Sequence, residues 1–156
     1  MKRDLHGLRI LVTGASSGIG RSVAEQAALE GARVALAARS SDKLAELEQS
    51  LKHRNADAIA IPADITIEAD RERLLQTVAE RFGGLDVLVN NAGVASFGHF
   101  ADSTEEILRH IMEVNFFGPV ELMRRAIPML RQGRLPALTQ HRDERGAARR
   151  NGTLRY

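Results

Sequence analysis

The chain has 156 residues, of which 44% are hydrophobic and 27% charged, with 13 Gly, 4 Pro and a formal net charge of +2. This composition is typical of one globular domain and unlike that of fibrous, disordered or membrane proteins. The chain contains no Cys, which excludes disulfides, thiolate nucleophiles and cysteine-ligated zinc, and we expect no metal site. The small net charge gives no reason to expect a nucleic-acid partner. Because no apolar run approaches the ~20 residues of a membrane helix, we expect no membrane segment and a cytoplasmic protein.

Strands and helices are predicted to alternate along the first part of the chain. Short apolar runs predict four strands, at residues 8–12, 33–38, 58–61 and 85–89. Apolar residues at helical spacing predict three helices, which begin after Gly20, at Ser41 and at Asp70. Alternation of this kind predicts a parallel sheet with helices on both faces, which is a doubly wound α/β domain.

A long helix is predicted to follow the fourth strand. It spans residues 104–130 and begins at the capping-box sequence Ser103-Thr104-Glu105-Glu106. Gly118-Pro119 and Pro128 are expected to bend it. We expect self-association through this helix, because several of its apolar residues are expected to have few partners in this chain. They are Ile107, Ile111, Phe116, Phe117, Leu122 and Met123.

Residues 133–156 differ in kind from residues 1–132. They carry six Arg against Asp143 and Glu144, and from Thr139 onward they show neither strand nor helix periodicity. We predict a folded domain over residues 1–132 and a basic, disordered tail over 133–156, with at most a stub of a fifth strand and an open edge at the fourth. A tail that binds acidic partners is an alternative with faint support, since no aromatic residues are interleaved with the Arg.

A glycine-rich turn joins the first strand to the first helix. Its sequence is Gly14-Ala15-Ser16-Ser17-Gly18-Ile19-Gly20, with the spacing Gly-x-x-x-Gly-x-Gly. Glycines let the backbone approach a pyrophosphate closely, and the helix N-terminus offers unpaired N–H groups to the phosphate charge. The alternative is a turn that only needs flexible residues.

Further motifs follow later strands, at the sheet edge where open α/β sheets bind ligands. Asp64-Ile65 follows the third strand, Asn90-Asn91-Ala92-Gly93 follows the fourth, and Asn115 lies in the long helix. In this order, over residues 8–132, the motifs resemble the short-chain dehydrogenase/reductase family. The resemblance implies a Rossmann-like dinucleotide-binding domain over residues 1–132, and an oxidoreductase that transfers hydride to or from an alcohol or carbonyl substrate.

The resemblance also implies individual roles. Gly14, Gly18 and Gly20 are expected to cradle the pyrophosphate, with Ile19 on the nicotinamide side. Asp64 is expected to accept a hydrogen bond from the adenine amino group, Asn91 and Gly93 to border the adenine ribose, and Asn115 to help hold a proton-relay water. The neighbouring Ser16, Ser17, Ile65 and Ala92 complete the expected cofactor-binding set. The alternatives are that Asp64 only caps a turn and that Asn90-Asn91 only forms one.

The end of the second strand bears on the choice of cofactor. An NAD site places a carboxylate there for the ribose 2′-hydroxyl, whereas a 2′-phosphate is best met by a cation. The sequence continues Ala38-Arg39-Ser40, with no acid before Asp42. Arg39 and Ser40 therefore favour NADP(H) over NAD(H), the alternative being a solvated Arg39.

Asn115 is the one catalytic residue that the resemblance implies in this chain, and the other catalytic residues of the family are not found. The resemblance implies a Tyr, a Lys four residues after it and a Ser about 13 residues before it. The chain has one Tyr, Tyr156, which is its last residue, and Asp143 stands at the Ser position. We therefore expect this chain to be inactive, and the alternative function is a non-catalytic NADP(H)-binding fragment. A one-base shift in the reading frame after about Leu138 permits Asn-Ile-Gly where the family's fifth strand would continue, which suggests a frameshift as the origin of the tail.

Overall fold

A five-stranded parallel sheet lies at the centre of the computed structural model, which describes residues 4–134 and 136–140. Its strands are β1 (Arg9–Thr13), β2 (Arg33–Ala38), β3 (Ala58–Pro62), β4 (Val87–Asn90) and β5 (Ala137–Gln140). Their order across the sheet is β3-β2-β1-β4-β5. The order reverses direction after β1, which confirms the predicted doubly wound, Rossmann-like α/β class.

Five α-helices connect the strands. They are α1 (Gly18–Leu29), α2 (Ser41–His53), α3 (Glu68–Phe82), α4 (Glu105–Met112) and α5 (Gly118–Arg131). A short 3₁₀ turn, Phe100–Asp102, precedes α4. Within the described residues, no helix is both long enough and apolar enough to cross a membrane.

Hydrophobic residues fill both faces of the sheet, because successive side chains of a strand point to opposite sides. In β1, Ile10 and Val12 belong to the core under α1 and α2, whereas Leu11 belongs to the core under α3 and α5. The first core contains Ala24, Ala27, Leu44, Leu47 and Leu51 from its helices. The second contains Leu74, Leu75, Val78, Leu122, Ala126 and Leu130.

The fifth strand differs from the sequence prediction. β4 was expected to be an open edge, but β5 pairs with it along its whole length, from Val87 opposite Ala137 to Asn90 opposite Gln140. The turn before β5 is anchored, since the backbone N–H of Arg134 donates to Asp86 Oδ1 at 2.7 Å. Thr139 and Gln140 therefore belong to the sheet rather than to a tail. The disorder predicted for the tail concerns residues 141–156, which lie outside the described residues.

The predicted long helix is divided by a π-helical turn. Thr104 caps α4 as predicted, with its Oγ1 accepting from the Ile107 N–H at 3.3 Å. The π turn, Glu113–Phe117, lies directly before the Gly118-Pro119 pair, whereas Pro128 lies inside α5. Among the six apolar residues expected to have few partners, the expectation was wrong for Leu122, which is fully buried in the core, and for Met123, which is half-buried and packs against it.

Candidate cofactor-binding site

A cleft of about 480 Å³ opens where β1, β2, β3 and β4 end. Clefts of this size and position are where open α/β sheets hold ligands. The cleft is lined by ten of the predicted cofactor-binding residues: Gly14, Ser16, Ser17, Arg39, Ser40, Asp64, Ile65, Asn91, Ala92 and Gly93. Ala37, Ala38, Ala63, Val94 and Val114 also line it and were not predicted. Gly18, Ile19, Gly20 and Asn115 are not among its lining residues.

Gly14 and Gly20 of the first turn are required by close packing, whereas at Gly18 a Cβ would meet nothing within 4 Å and the φ of +57° is what favours glycine. Gly14 has a φ of +67°, and a Cβ there would lie 2.9 Å from the Ala92 Cα. A Cβ at Gly20 would lie 2.3 Å from Asn91 Nδ2 and 2.4 Å from the Gly14 carbonyl oxygen. Any other residue would therefore separate the turn from the segment that follows β4. This finding supports a built site over a turn that only needs flexibility.

Thr13 joins the two glycine-containing segments, and sequence reasoning missed this role. Its fully buried hydroxyl oxygen accepts from the backbone N–H groups of Asn91, at 3.0 Å, and Ala92, at 3.1 Å. The side chain of Asn91 in turn donates to the Gly14 carbonyl at 3.4 Å. The one available signal was the position of Thr13 at the end of β1, directly before Gly14.

Asp64 stands at the mouth of the cleft in an ordered turn. Its Oδ1 accepts from both the backbone N–H of Thr66, at 2.9 Å, and the Thr66 hydroxyl, at 2.7 Å. Asp64 thus does cap a turn, but it also lines the cleft. No donor in the described part of the chain reaches Oδ2, so one carboxylate oxygen can accept from a ligand.

The end of β2 offers a positive charge to the cleft. Arg39 is exposed and lines the cleft, and among the described residues it forms no ion pair. Ser40 follows it as the N-terminal cap of α2, and its hydroxyl makes no capping bond. A guanidinium and a hydroxyl are both suitable donors to a phosphate oxygen.

Asn115 lies in the π turn and binds the loop after β4. Its Oδ1 accepts from the Val94 N–H and its Nδ2 donates to the Val94 carbonyl, both at 2.8 Å. The side chain is thereby occupied, and its backbone carbonyl accepts from Gln140 Nε2 at 3.2 Å. Since Val94 and Val114 line the cleft, Asn115 contributes to the site by holding its wall.

These features define a dinucleotide-binding α/β domain. Gly14 and Gly20 let the first turn pack against the segment after β4, Asp64 presents an acceptor, and Arg39 presents a cation, so the residues fit a nicotinamide dinucleotide carrying a phosphate. Within residues 4–134 and 136–140, no group of three or more His, Asp or Glu side chains could hold a metal ion.

The chain belongs to the short chain dehydrogenase family, whose model matches residues 9–135. It is 45% identical over 118 residues to the uncharacterized oxidoreductase YxnA of Bacillus subtilis, covering 76% of this chain and 33% of that protein. A short chain dehydrogenase from Burkholderia cenocepacia in complex with NADP is 35% identical, with a TM-score of 0.77 over 82% of this chain and 53% of that one. The NADH-dependent reductase A1-R′ responsible for alginate metabolism is 32% identical, with a TM-score of 0.83 over 93% of this chain and 63% of that one.

The coverage of these relatives is unequal. The chain spans about a third of the length of YxnA and between half and two thirds of the two solved structures.

The two solved structures differ in cofactor, because one is a complex with NADP and the other is named for NADH. Family membership alone therefore leaves both cofactors open.

Proposed function

We propose that this chain is the dinucleotide-binding part of an NADP(H)-dependent oxidoreductase that acts on an alcohol or carbonyl group. The observation that carries the proposal is the cleft itself, which is lined by Gly14, a position with no room for a Cβ, together with Arg39 and Asp64. Membership of the short chain dehydrogenase family supports the same reading. When bound, the cofactor supplies hydride transfer to or from a carbonyl carbon.

Each predicted site residue, in the cleft or beside it, has a proposed task. Gly14, Gly18 and Gly20 let the backbone meet the pyrophosphate, and Ile19, which is 42% exposed, borders the nicotinamide side. Asp64 accepts from the adenine amino group through its second carboxylate oxygen. Asn91 and Gly93 border the adenine ribose. Asn115 acts by holding the Val94 segment, and its carbonyl, which already accepts from Gln140, is the candidate for a proton-relay water.

The preference for NADP(H) is proposed to rest on Arg39 and Ser40. A cation at the end of β2 attracts a 2′-phosphate, and no carboxylate of the described residues forms an ion pair with it. The first acid after it, Asp42, lies in the first turn of α2 and is exposed. NADH, which lacks the 2′-phosphate, gains nothing from this charge.

We further propose that these 156 residues bind cofactor without turning over substrate. Hydride transfer to a carbonyl needs a proton donor at the oxygen, which the family provides with a Tyr assisted by a Lys. Among these residues the one Tyr is Tyr156, and Asp143, a carboxylate that would repel a developing oxyanion, stands 13 positions before it where the family has the Ser. We therefore assign the alcohol or carbonyl substrate to family members that carry the catalytic Ser, Tyr and Lys. The proposed location of the protein is the cytoplasm.

Calorimetric titration of the chain with NADPH and NADH tests the proposal. We expect NADPH to bind at least about tenfold more tightly than NADH, because one charge-assisted hydrogen bond contributes about this much affinity. Arg39→Ala is expected to remove most of that preference and leave NADH binding unchanged. The matched control is Arg54→Ala. Arg54 is exposed and directly follows α2, whereas Arg39 lies two residues before that helix. Tighter binding of NADH would refute the NADP(H) assignment, and NADPH oxidation with simple aldehydes or ketones would refute the inactivity.

Self-association through residues 104–130 is proposed as well, with a second copy of this chain as the partner. Phe116 and Phe117 are 49% and 48% exposed, and Met112 is 46% exposed. Apolar side chains grouped on one exposed helical surface favour burial against another surface. α4 contributes no buried residue to the described fold, so its apolar side chains have little cover within one copy.

A further inference from the structure

The Asp64-Ile65 segment is held by two consecutive residues of α3. The Asp64 N–H donates to Asp70 Oδ2 at 2.7 Å, and Arg71 Nη1 donates to the Ile65 carbonyl at 2.6 Å. Both contacts are made to backbone groups of residues that line the cleft. The start of α3 therefore fixes the backbone on each side of the Asp64–Ile65 peptide.

Arg71 is an unusual residue for its position. It is only 8% exposed, it forms no salt bridge with any described carboxylate, and its Nε has no hydrogen-bond partner among the described residues. A buried charge without an ion-pair partner is costly, and an apolar side chain would be the less costly filling of this space. Glu121 is near enough to attract Arg71 but forms no ion pair with it. Among the described residues, the bond to the Ile65 carbonyl is the one hydrogen bond of the Arg71 side chain, so we look for the role of Arg71 there.

The Ile65 carbonyl is also enclosed from a second side. The backbone of Gly118, at the start of α5, approaches so closely that a Cβ there would lie 2.9 Å from the carbonyl oxygen. Because Gly118 is helical, this is a steric requirement alone. Arg71 and Gly118 together leave the carbonyl one position, and this position sets the orientation of the Ile65–Thr66 peptide, whose N–H donates to Asp64 Oδ1.

We propose that Arg71 is a positioning residue that orients the Asp64 carboxylate and thereby gives the cleft its selectivity for a 6-aminopurine. The inference rests on the proposed function, in which Asp64 accepts from the adenine amino group. Thr66 already occupies Oδ1 of Asp64, so the direction of Oδ2 depends on the backbone that Arg71 holds. Hydrogen bonds to a carboxylate weaken steeply when this direction is lost.

The test compares NADPH with its 6-deamino analogue, in which hypoxanthine replaces adenine. The two ligands differ at the atom that Asp64 is proposed to recognise and share every phosphate. The unmodified chain is expected to bind NADPH about tenfold more tightly than the analogue. Arg71→Met keeps the length of the side chain but removes the donor, and is expected to bring the affinity ratio close to one. Arg71→Lys, which keeps a donor, is expected to restore part of the ratio.

Two further variants keep the test decisive. Gly118→Ala pushes on the same carbonyl from the other side and is expected to lower the ratio, which covers the case in which Arg71→Met does not fold. Arg125→Met is the control for general loosening of α3, because Arg125 pairs with Glu68 and Glu72 of that helix and not with the loop. It is expected to leave the ratio unchanged.

The outcomes separate the inference from the proposed function. A chain that selects NADPH over the analogue, with the same ratio in Arg71→Met and Gly118→Ala, overturns the role of Arg71 and leaves the proposed function standing. A chain that binds NADPH and the analogue equally overturns the role of Asp64 and this inference with it. A chain that binds neither overturns the proposed function.

Discussion

The substitution Asp86→Asn is expected to destabilise the fold severely, although it lies far from the cleft. The Asp86 side chain is fully buried and faces Arg9, whose side chain is only 16% exposed. Its Oδ2 accepts from Arg9 Nε at 2.8 Å and from the Arg9 N–H at 2.9 Å. Its Oδ1 accepts from Arg9 Nη2 at 2.8 Å and from the Arg134 N–H at 2.7 Å. One carboxylate thus joins β1, β4 and the turn that leads into β5.

The size of the effect follows from these contacts. Asparagine has the same shape but no charge, and its NH₂ group would face N–H donors instead of accepting from them. The guanidinium of Arg9 would then be left nearly buried without a counter-charge. Loss of one partner of a buried ion pair costs about 3–5 kcal/mol. Since the total stability of a domain is about 5–15 kcal/mol, Asp86→Asn is expected to remove a large part of it.

The stability of the unmodified chain should also depend on pH through this residue. Hydrogen bonds from Arg9, opposed by burial, hold the pKa of Asp86 well below its ordinary value of 3.8. A lowered pKa in the folded state means that the stabilisation is fully present above the unfolded pKa and is lost as the pH falls below it. The difference in unfolding free energy between the unmodified chain and Asp86→Asn should therefore be about 1 kcal/mol smaller at pH 3 than at pH 7.

Urea unfolding followed by far-ultraviolet circular dichroism measures both effects, and suits a chain that has no Trp. The control is Asp57→Asn, which breaks the exposed ion pair of Asp57 with Arg33 and is expected to cost less than about 1 kcal/mol. A loss of less than about 1 kcal/mol for Asp86→Asn at pH 7 would refute the argument from burial. An unchanged difference at pH 3 would refute the argument from its pKa.

Three further predictions concern the site and the helix surface. Gly20→Ala is expected to abolish NADPH binding in the calorimeter, because its Cβ would lie 2.4 Å from the Gly14 carbonyl oxygen, and normal affinity would contradict this. Asn115→Ala removes two hydrogen bonds to Val94 and is expected to lower the free energy of unfolding by about 2 kcal/mol. It should also speed hydrogen exchange at the Val94 N–H, and unchanged exchange would show that Asn115 does not hold this segment. Phe117→Glu is expected to weaken self-association, as measured by sedimentation velocity, because Phe117 is exposed. An unmodified chain that stays monomeric at every concentration would refute self-association through this helix.

The sequence by itself determined the alternation of strands and helices and most of the cleft. β2 was predicted at its observed bounds, residues 33–38, because apolar runs and turn residues act over a few positions. The cleft residues were predictable for a related reason. Parallel strands end at a common edge, so motifs that directly follow β1, β2, β3 and β4 lie along that edge, and the order β3-β2-β1-β4 makes them neighbours there.

Only the tertiary structure decided which residues are buried and paired across long separations. Asn91 lies 78 positions from the Thr13 hydroxyl that binds it, and Asp86 lies 77 positions from Arg9. Arg71 reads in the sequence as one of several charges on a solvated helix, yet it is buried under the Ile65 carbonyl. Thr139 and Gln140 show no strand periodicity. They form β5 because Asp86, 48 positions before Arg134, holds the preceding turn beside the free edge of β4, and an unpaired edge gains hydrogen bonds from any backbone held against it.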